Sequence, residues 1–454
     1  WLYPPDGGSW NPPARALISV LGLSWQPVAL MAAWLKPEKL LCLGTEESLA
    51  MQVGEEPVLK VVARLAELPP HALQARTIQE PEELNLYREI KRFLEWERLG
   101  PREVVIDPTG GKKSMSAGAT LAGFLIGAFL VYVDYAEYDA VRRIPVAGTE
   151  YPRLLHNPLE VFGDREVERI LAALRHGGFA EAAHLAEGLA ARVYEPREAE
   201  ALKFLAQAYR DWQEFRFQEA EGGLRRLQDH LGRFGPLKDW SWAPRLAAAL
   251  GEQGEVVATL ARLTQRVCAG EKFSSLTEGL PLILNHLAAA ERALEFGRPS
   301  TAILLTYATL ERYVDLCLWV YYGLEDENPD YGKLTVDAAA YHQVGRALHG
   351  RSYQPRDLGG PLTLSVGVQL LATLKPELMP PEKEFLGRIK GLMSLRNRTE
   401  FEHGLCPQVV QADQVRQYLD KVKEIVARGG KKENLPELEQ LLAPYRFPLS
   451  DLSV

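Results

Sequence analysis

The sequence predicts an α/β N-terminal region built on a doubly wound parallel sheet, followed by all-α middle and C-terminal regions. Apolar strand-like runs alternate with helical stretches between residues 14 and 150, and this β-α-β-α order is typical of a parallel sheet with helices on both faces. After about residue 165 the strand patterns stop, and Ala, Leu, Glu and Arg dominate. These changes along the 454 residues predict three domains, at 1–160, 161–275 and 276–454.

The strands of the first domain are predicted from short apolar runs. They lie at ARALISVLGL (14–23), KLLCLGT (39–45), ALQARTI (72–78), EVVIDPT (103–109) and FLVYVDY (129–135). Helices are predicted at 27–36, in the stretch up to about Leu68, and at 81–100. The nineteen uncharged residues from Met115 to Val133 are long enough to cross a membrane. We interpret them as a helix, a break near Gly127 and a strand, because a covered parallel strand is also continuously apolar.

The rest of the chain is predicted to be helical. GFAEA (178–182) and RFQEA (216–220) each open a helix, 38 residues apart. They indicate either two tetratricopeptide-like hairpins or an ordinary helical spacer. Long helices are predicted at 301–324 and 381–404, and a short helix at 411–427, with a polar, Gly/Pro-rich stretch at 325–362.

Composition narrows the function classes. A net charge of −8 argues against a generally basic nucleic-acid binder but allows a local basic site. Cys42 and Cys317 lie in apolar runs, which predicts buried free thiols and a reducing cytoplasm. The only close His/Cys pair is His403 and Cys406, so no metal site is predicted. No winged helix with a basic recognition helix is visible in the C-terminal third.

The first candidate site is the segment DPTGGKKS at 107–114, which follows an apolar run. Its two glycines let backbone N–H groups approach a ligand closely, and its hydroxyls and lysines suit a phosphate. The next helix is predicted to begin at about Ser114, so its N-terminus would point at a bound anion. The glycine spacing of a Walker A loop is absent. The alternative is a tight surface turn with solvated lysines.

The second candidate site is SLRNRTEFEHG at 394–404. Arg396 and His403 are seven residues apart, nearly two helical turns, so we expect both on one helical face, with Arg398 turned away. At the predicted helix end the dipole favours a charged His403, and Asn397 would orient a phosphate or the histidine. Arg and His suit metal-free RNA cleavage through the 2′-hydroxyl, which needs proton transfer and charge stabilisation. The alternative is an ordinary solvent-facing helix end.

The first candidate site also resembles a known family. The motif Asp107-Pro-Thr109-Gly-Gly111-Lys-Lys113-Ser-Met115-Ser116 after the fourth strand resembles the CARF domain, a Rossmann-like domain of CRISPR-associated proteins. The first strand with its loop and the closing strand VYVDYAEYD match in position, so the resemblance covers about the first third of the chain. It implies a homodimer that binds a cyclic oligoadenylate across its two-fold axis, with cyclic tetra-adenylate favoured over cyclic hexa-adenylate. The implied ligand-binding residues are Gly22, Ser24, Trp25, Thr45, Thr109, Gly110, Gly111, Lys112, Lys113 and Ser114.

The second candidate site is similar to the HEPN ribonuclease motif, in which an Arg, often followed by Asn, precedes a His. Arg396, Asn397 and His403 match it, and Glu311 is a candidate supporting residue. The family implies an active site formed by two chains and products ending in 2′,3′-cyclic phosphates. A CARF-like motif, a helical middle and a HEPN-like motif is the order found in the ancillary ribonucleases of type III CRISPR systems. The resulting prediction is a cytoplasmic, cyclic oligoadenylate-activated, metal-independent endoribonuclease for single-stranded RNA in antiviral defence.

Three alternatives remain open at this stage. In the first, the N-terminal domain binds the ring and the C-terminal domain only recruits a partner, so that His403→Ala would leave function intact. The first domain would also cleave its own activator as a ring nuclease, with Thr109 and Ser24 as candidates. Finally, the chain would be a helical interaction protein that binds no oligoadenylate.

Overall fold

The computed structural model describes residues 14–233, 240, 242–325, 328–399, 409–449 and 452. The chain divides into two compact units, one up to Phe162 and one from Gly163. The first unit carries the β-structure and the second is helical.

The first unit is organised around a six-stranded sheet. Its strands are β1 (Ala16–Leu21), β2 (Lys39–Gly44), β5 (Leu73–Thr77), β6 (Val104–Asp107), β7 (Phe129–Tyr135) and β10 (Glu150–Leu155), and two small hairpins are formed by β3 (Gln52–Val53) with β4 (Glu56–Pro57) and by β8 (Tyr138–Asp139) with β9 (Ile144–Pro145). The order across the sheet is β10-β7-β6-β1-β2-β5. All neighbours are parallel except β10, which is antiparallel to β7.

Helices cover both faces of this sheet. They are α1 (Gln26–Leu35), α2 (Glu46–Leu49), α3 (Val58–Leu65), α4 (Glu82–Glu97), α5 (Lys113–Ile126) and α6 (Pro158–Phe162). Neighbouring residues of β1 point to opposite cores: Leu17 packs with α1 and α3, and Ile18 packs with α4 and α5. Because both faces are covered, every residue of β1 is buried. The predicted doubly wound sheet is confirmed.

The apolar stretch 115–133 forms a helix and a strand. Helix α5 ends at Gly127, whose φ of 83° lies in the left-handed region that glycine adopts without strain. β7 then follows with the sequence FLVYVDY, so the interpretation of this stretch is confirmed. None of the helices in the described part of the chain has the length and hydropathy needed to cross a membrane.

Two expectations for the first unit were wrong. The stretch up to Leu68 is not one helix, because the β3–β4 hairpin separates α2 from α3, with Gly54 at a φ of 65° in its turn. The sheet is also not wholly parallel. The chain turns back after β7 through the β8–β9 hairpin, so β10 pairs with β7 in the antiparallel direction.

The second unit consists of helices around one continuous apolar core that extends from Val167 to Leu452. Its helices are α7 (Asp164–Arg175), α8 (Phe179–Ala190), α9 (Arg197–Gln213), α10 (Phe217–Arg233), α11 (Ala243–Cys268), α12 (Leu276–Glu295), α13 (Pro299–Tyr322), α14 (Ala338–His349), α15 (Leu364–Leu374), α16 (Lys383–Arg396), α17 (Ala412–Lys432) and α18 (Leu438–Leu442). Helices α7 to α11 pack each against the next. The two short sequence echoes open α8 and α10, as predicted.

The segment after α18 returns to the first helices of this unit. The ring of Phe447 stacks on the ring of Tyr209 at 4.0 Å, and the guanidinium of Arg292 lies 4.2 Å from the Phe447 ring centre. Arg292 Nη1 donates to the carbonyl of Tyr445 at 2.7 Å. Burial lowers the pKa of Arg292 to about 10. We call residues 443–449 the C-terminal strap, because it joins α9 to α12.

The C-terminal helices differ from the prediction in three places. The predicted helix 301–324 is confirmed as α13, which ends at Gly323. The stretch 325–362 contains an unpredicted helix, α14, whose first turn is capped by the side chain of Asp337. Helix α17 is longer than expected, and α16 stops at Arg396 although a helix to 404 was predicted. Cys42 and Cys317 are buried free thiols, as expected.

Candidate functional sites

The first candidate site lies where β1, β2 and β6 reach the same edge of the sheet. The chain leaves β1 towards β2 on one side and later enters β6 on the other, so the strand order reverses between β1 and β6. A ligand-binding crevice is expected at such a point, outside the carboxyl ends of the strands. The predicted residues Gly22, Ser24 and Trp25 follow β1, Thr45 follows β2, and the 107–114 segment follows β6.

The loops after β1 and β6 touch through glycines. A Cβ atom on Gly22 would lie 2.1 Å from the carbonyl oxygen of Gly110, and one on Gly110 would lie 2.5 Å from the carbonyl oxygen of Val20. A Cβ on Gly111 would lie 2.4 Å from Val20 Cγ1. Only glycine fits at these three positions without a shift of the backbone or of Val20. The geometry therefore brings the two predicted loops together and keeps their backbones open at the sheet edge.

Asp107 anchors the base of the second loop. Its buried carboxylate accepts from Ser19 Oγ at 2.9 Å, from the Thr109 amide at 2.9 Å and from Thr109 Oγ1 at 2.6 Å. Burial raises the pKa of Asp107, against the effect of these hydrogen bonds. Thr109 Oγ1 also accepts from the amide of Val133 at 2.9 Å. The single hydroxyl proton of Thr109 is thus donated to Asp107.

Glu82, at the start of α4, binds the other end of the loop. Its carboxylate pairs with Lys112 and accepts from the hydroxyl of Ser114. The hydrogen bond from Lys112, followed by that from Ser114, lowers the pKa of Glu82. The neighbouring Lys113 is exposed at the first turn of α5 and has no carboxylate partner among the described residues. Lys113 and the helix N-terminus are therefore the positive groups available to a phosphate.

We expect Glu82→Gln to lower the melting temperature at pH 7 by about 2 to 4 °C, because a charge-assisted contact is lost. Since the pKa of Glu82 is lowered in the folded state, its contribution is present above its ordinary pKa and is lost as the pH falls through the lowered value. Thermal unfolding measured from pH 7 downwards should show the difference in melting temperature between Glu82→Gln and the wild-type protein becoming smaller. Glu83→Gln, at the exposed neighbour, is the control. An equal loss in both variants would contradict this role.

The second candidate site lies at the end of α16. The guanidinium of Arg396 sits 4.8 Å from the ring centre of Tyr307 on α13, and Arg396 Nη1 donates to Asn397 Oδ1 at 3.1 Å. The hydroxyl of Tyr307 donates to Glu311 Oε1 at 3.3 Å. Burial, reinforced by the charge of Glu311, raises the pKa of Tyr307 to about 12, so this hydroxyl keeps its proton at neutral pH. Tyr307 was missed in the sequence, although it lies one helical turn before Glu311.

The helix that was predicted to carry both Arg396 and His403 does not continue that far. The amide of Thr399 bonds to the carbonyl of Arg396 at 3.2 Å, and its hydroxyl donates to the same carbonyl at 3.0 Å. These bonds close a turn and satisfy a carbonyl at the helix end. The continuous helix from which a shared face of Arg396 and His403 was inferred is therefore interrupted after Arg396. His403 lies outside the described residues, so its pairing with Arg396 stays a prediction.

Comparison with known proteins agrees with this layout. The family model described as the Csm6 6H domain matches residues 162–234, and the one described as the Csm6 HEPN domain matches residues 273–428, which include Arg396. The CRISPR system endoribonuclease Csm6 of Thermus thermophilus is 32% identical over 282 residues, or 60% of this chain and 56% of that protein. The chain belongs to the Csm6 family. It matches just over half the length of this curated Csm6 relative.

One solved structure extends the similarity of fold to the first unit. Csm6 of Enterococcus italicus bound to cyclic hexa-2′-fluoro-hexa-dAMP has a TM-score of 0.51 and 11% identity, and the match covers 95% of this chain and 99% of that chain. Can2 of Sulfobacillus thermosulfidooxidans in complex with cyclic tetra-adenylate has a TM-score of only 0.22 and 14% identity over 48% of this chain and 67% of that chain. The predicted membership of a CRISPR ribonuclease family is confirmed, as is the order of an α/β unit before Csm6-type helical domains.

Proposed function

We propose that this chain is a cyclic oligoadenylate-activated endoribonuclease of type III CRISPR defence. The observation that carries the proposal is Arg396, held against Tyr307 within the segment that matches the Csm6 HEPN domain. Arg396 stabilises the charge that develops on the phosphorane, and His403 transfers a proton to the leaving 5′-oxygen or from the 2′-hydroxyl. Asn397 orients Arg396, and the products end in 2′,3′-cyclic phosphates.

The activator binds at the sheet edge of the first unit. Lys113, the N-terminus of α5 and the backbone of the glycine loops hold its phosphates, and Ser24, Trp25 and Thr45 line the same edge. Cyclic tetra-adenylate is the ring we propose first. Its binding must favour one arrangement of the paired chains over another, since a ligand shifts an equilibrium only by its differential affinity for the two states.

The decisive test is cleavage of a fluorescent single-stranded RNA in EDTA, with no ring, cyclic tetra-adenylate or cyclic hexa-adenylate. We expect one ring to start cleavage and EDTA not to stop it. His403→Ala should abolish the cleavage but leave ring binding unchanged. Cleavage that EDTA stops would contradict the mechanism. Ring binding without cleavage would leave a sensor that recruits a partner, and absence of ring binding would overturn the sensor as well.

The proposed homodimer has a candidate surface on the outer side of α4 and α5. Leu84, Leu121 and Leu125 are each at least half exposed, and Tyr87 is partly exposed. Apolar side chains of this size are typical of a protein interface. Both helices start at the 107–114 loop, which we call the phosphate loop: α5 begins within it at Lys113, and α4 begins with Glu82, which pairs with Lys112 of the loop. Pairing of this surface with that of a second chain would therefore place two phosphate loops near one ring.

We expect Leu121→Glu to convert the dimer to a monomer, because a buried unpaired charge costs several kcal/mol. The measurement is light scattering after size exclusion, with ring-activated cleavage in parallel. Leu65→Glu, on helix α3 at the opposite face of the sheet, is the control and should remain a dimer. A dimeric Leu121→Glu protein would show that the chains pair through another surface.

A further inference from the structure

A pocket of about 440 Å³ opens between α14, α15 and the loop that joins them. Its volume lies in the range of small-ligand sites. The pocket is formed largely by the polar stretch 325–362, for which the sequence suggested no role, and by the start of α15. Aromatic, imidazole and hydroxyl groups line it, and its floor is the buried side chain of Gln369.

The polar groups of the pocket are already fixed in place. His349 Nε2 lies 2.9 Å from Ser365 Oγ, and the rings of His349 and Tyr353 are nearly parallel, at 13°. His342 Nδ1 lies 2.7 Å from the hydroxyl of Tyr353. Gln369 Nε2 donates to the carbonyl of Tyr341 at 2.8 Å. Flat rings beside oriented amide, hydroxyl and imidazole groups are what proteins use to recognise unstacked RNA bases.

Positive side chains outnumber the one lining carboxylate, Asp357, at the pocket and beside it, in a protein whose net charge is −8. Arg356 lines the pocket, Arg351 precedes the lining residue Ser352, and Lys390 contacts the lining residue His349. All three are exposed, and none pairs with a carboxylate in the described part of the chain. Lys390 Nζ instead donates to the carbonyl of His349 at 2.7 Å, which ties α16 to the pocket wall. Uncompensated arginine and lysine side chains around a base-sized pocket suit a nucleotide strand, whose phosphates they neutralise.

Two paths place this pocket close to Arg396. On α16, Lys390 contacts His349 and Arg396 lies six residues further on, a rise of about 9 Å. On α13, Tyr307 contacts Arg396, while Val314 faces Gly367 of α15, seven residues and about 10 Å along. Each path places the pocket wall about two helical turns from Arg396. The pocket and the candidate catalytic arginine are within reach of one short RNA segment.

We propose that this pocket binds one base of the single-stranded RNA substrate beside the cleaved bond and thereby sets the base preference of cleavage. The inference rests on the proposed function for the identity of its substrate. Ser365, His349 and Gln369 contact the edge of the base, Tyr353 packs against its face, and Arg351, Arg356 and Lys390 hold the adjoining phosphates.

The test measures binding, so that it does not depend on cleavage. Short fluorescent RNAs made of A, C, G or U alone are titrated against the full-length Arg396→Ala protein, with and without saturating activator, at several salt concentrations. Adding Arg356→Glu should weaken binding of all four RNAs about 10-fold and reduce the salt slope by about one. Adding Ser365→Ala should change the relative affinities for the four RNAs by at least about 3-fold. Arg226→Glu, at an exposed arginine on α10, is the matched control.

Each outcome decides the proposal. RNA affinities that stay at the level of the Arg396→Ala parent in both pocket variants, or that change as much in Arg226→Glu, would overturn it. No RNA binding by the parent would do the same. A second arm of the experiment titrates free nucleoside monophosphates. If Ser365→Ala abolishes their binding but leaves RNA binding unchanged, the pocket is a mononucleotide site instead. If the pocket variants alter RNA binding but the wild-type chain never cleaves RNA, the result would support the pocket and reject the proposed nuclease.

Discussion

Arg396→Ala should reduce ring-activated RNA cleavage about 10²- to 10³-fold, the loss seen when a donor to developing charge is removed. The side chain is positioned for that task, because Tyr307 packs against its guanidinium and Asn397 accepts from Nη1. Single-turnover cleavage in EDTA separates the chemical step from RNA binding. We expect the rate constant to fall while ring affinity stays unchanged, since the ring is proposed to bind the first unit.

Arg398→Ala is the matched control for this variant. Arg398 lies two residues away, and its Nε donates to the backbone carbonyl of Ser394 at 3.1 Å. We expect its cleavage rate to remain within a few-fold of wild type. Arg396→Lys keeps the charge but loses the planar donor pair, so we expect it to rescue little activity. Full cleavage activity in Arg396→Ala would show that Arg396 is not an active-site residue.

Lys113→Glu should weaken cyclic oligoadenylate binding about 10- to 100-fold. Lys112 is paired with Glu82, so Lys113 supplies the uncompensated charge at the loop. A hydrogen bond to a charged group contributes about 1.5 to 3 kcal/mol, and reversing the charge adds repulsion of the phosphates. Isothermal titration with cyclic tetra- and hexa-adenylate measures the loss, and the ring concentration needed for half-maximal cleavage should rise in parallel.

Lys60→Glu, an exposed lysine on α3, makes the same charge change away from the loop and should bind the ring normally. At saturating ring, Lys113→Glu should cleave RNA at the wild-type rate. Unchanged ring affinity in Lys113→Glu would place the ring elsewhere on the first unit.

The sheet was predictable because its strands have simple local signals. β1 and β6 are short, fully buried apolar runs, and each is followed by glycines that only the loop contact explains. The β3–β4 hairpin was missed because its strands are two residues long and largely exposed, so no apolar alternation marks them. Helix α14 was missed because glycine- and proline-rich segments surround a single well-capped helix.

The candidate sites were predictable only in part. The loop 107–114 was visible as a local pattern, whereas Glu82, which neutralises Lys112, lies 30 residues earlier on another helix. The end of α16 could not be placed, because neither glycine nor proline marks it. A turn closed by Thr399 ends the helix instead. Tyr307 was hidden for the same reason as Glu82, since its contact with Arg396 joins residues far apart in the chain.

The C-terminal strap limits how this protein can be recombined with its relatives. Phe447 is embedded among aromatic rings of α8 and α9, so the helices before residue 275 and those after it share one interior. A chimaera that joins a foreign nuclease segment at residue 275 would lose Phe447 and leave the aromatic rings of α8 and α9 without the side chain that packs between them. A crossover between Phe162 and Gly163, where the two compact units divide, would leave this shared interior intact.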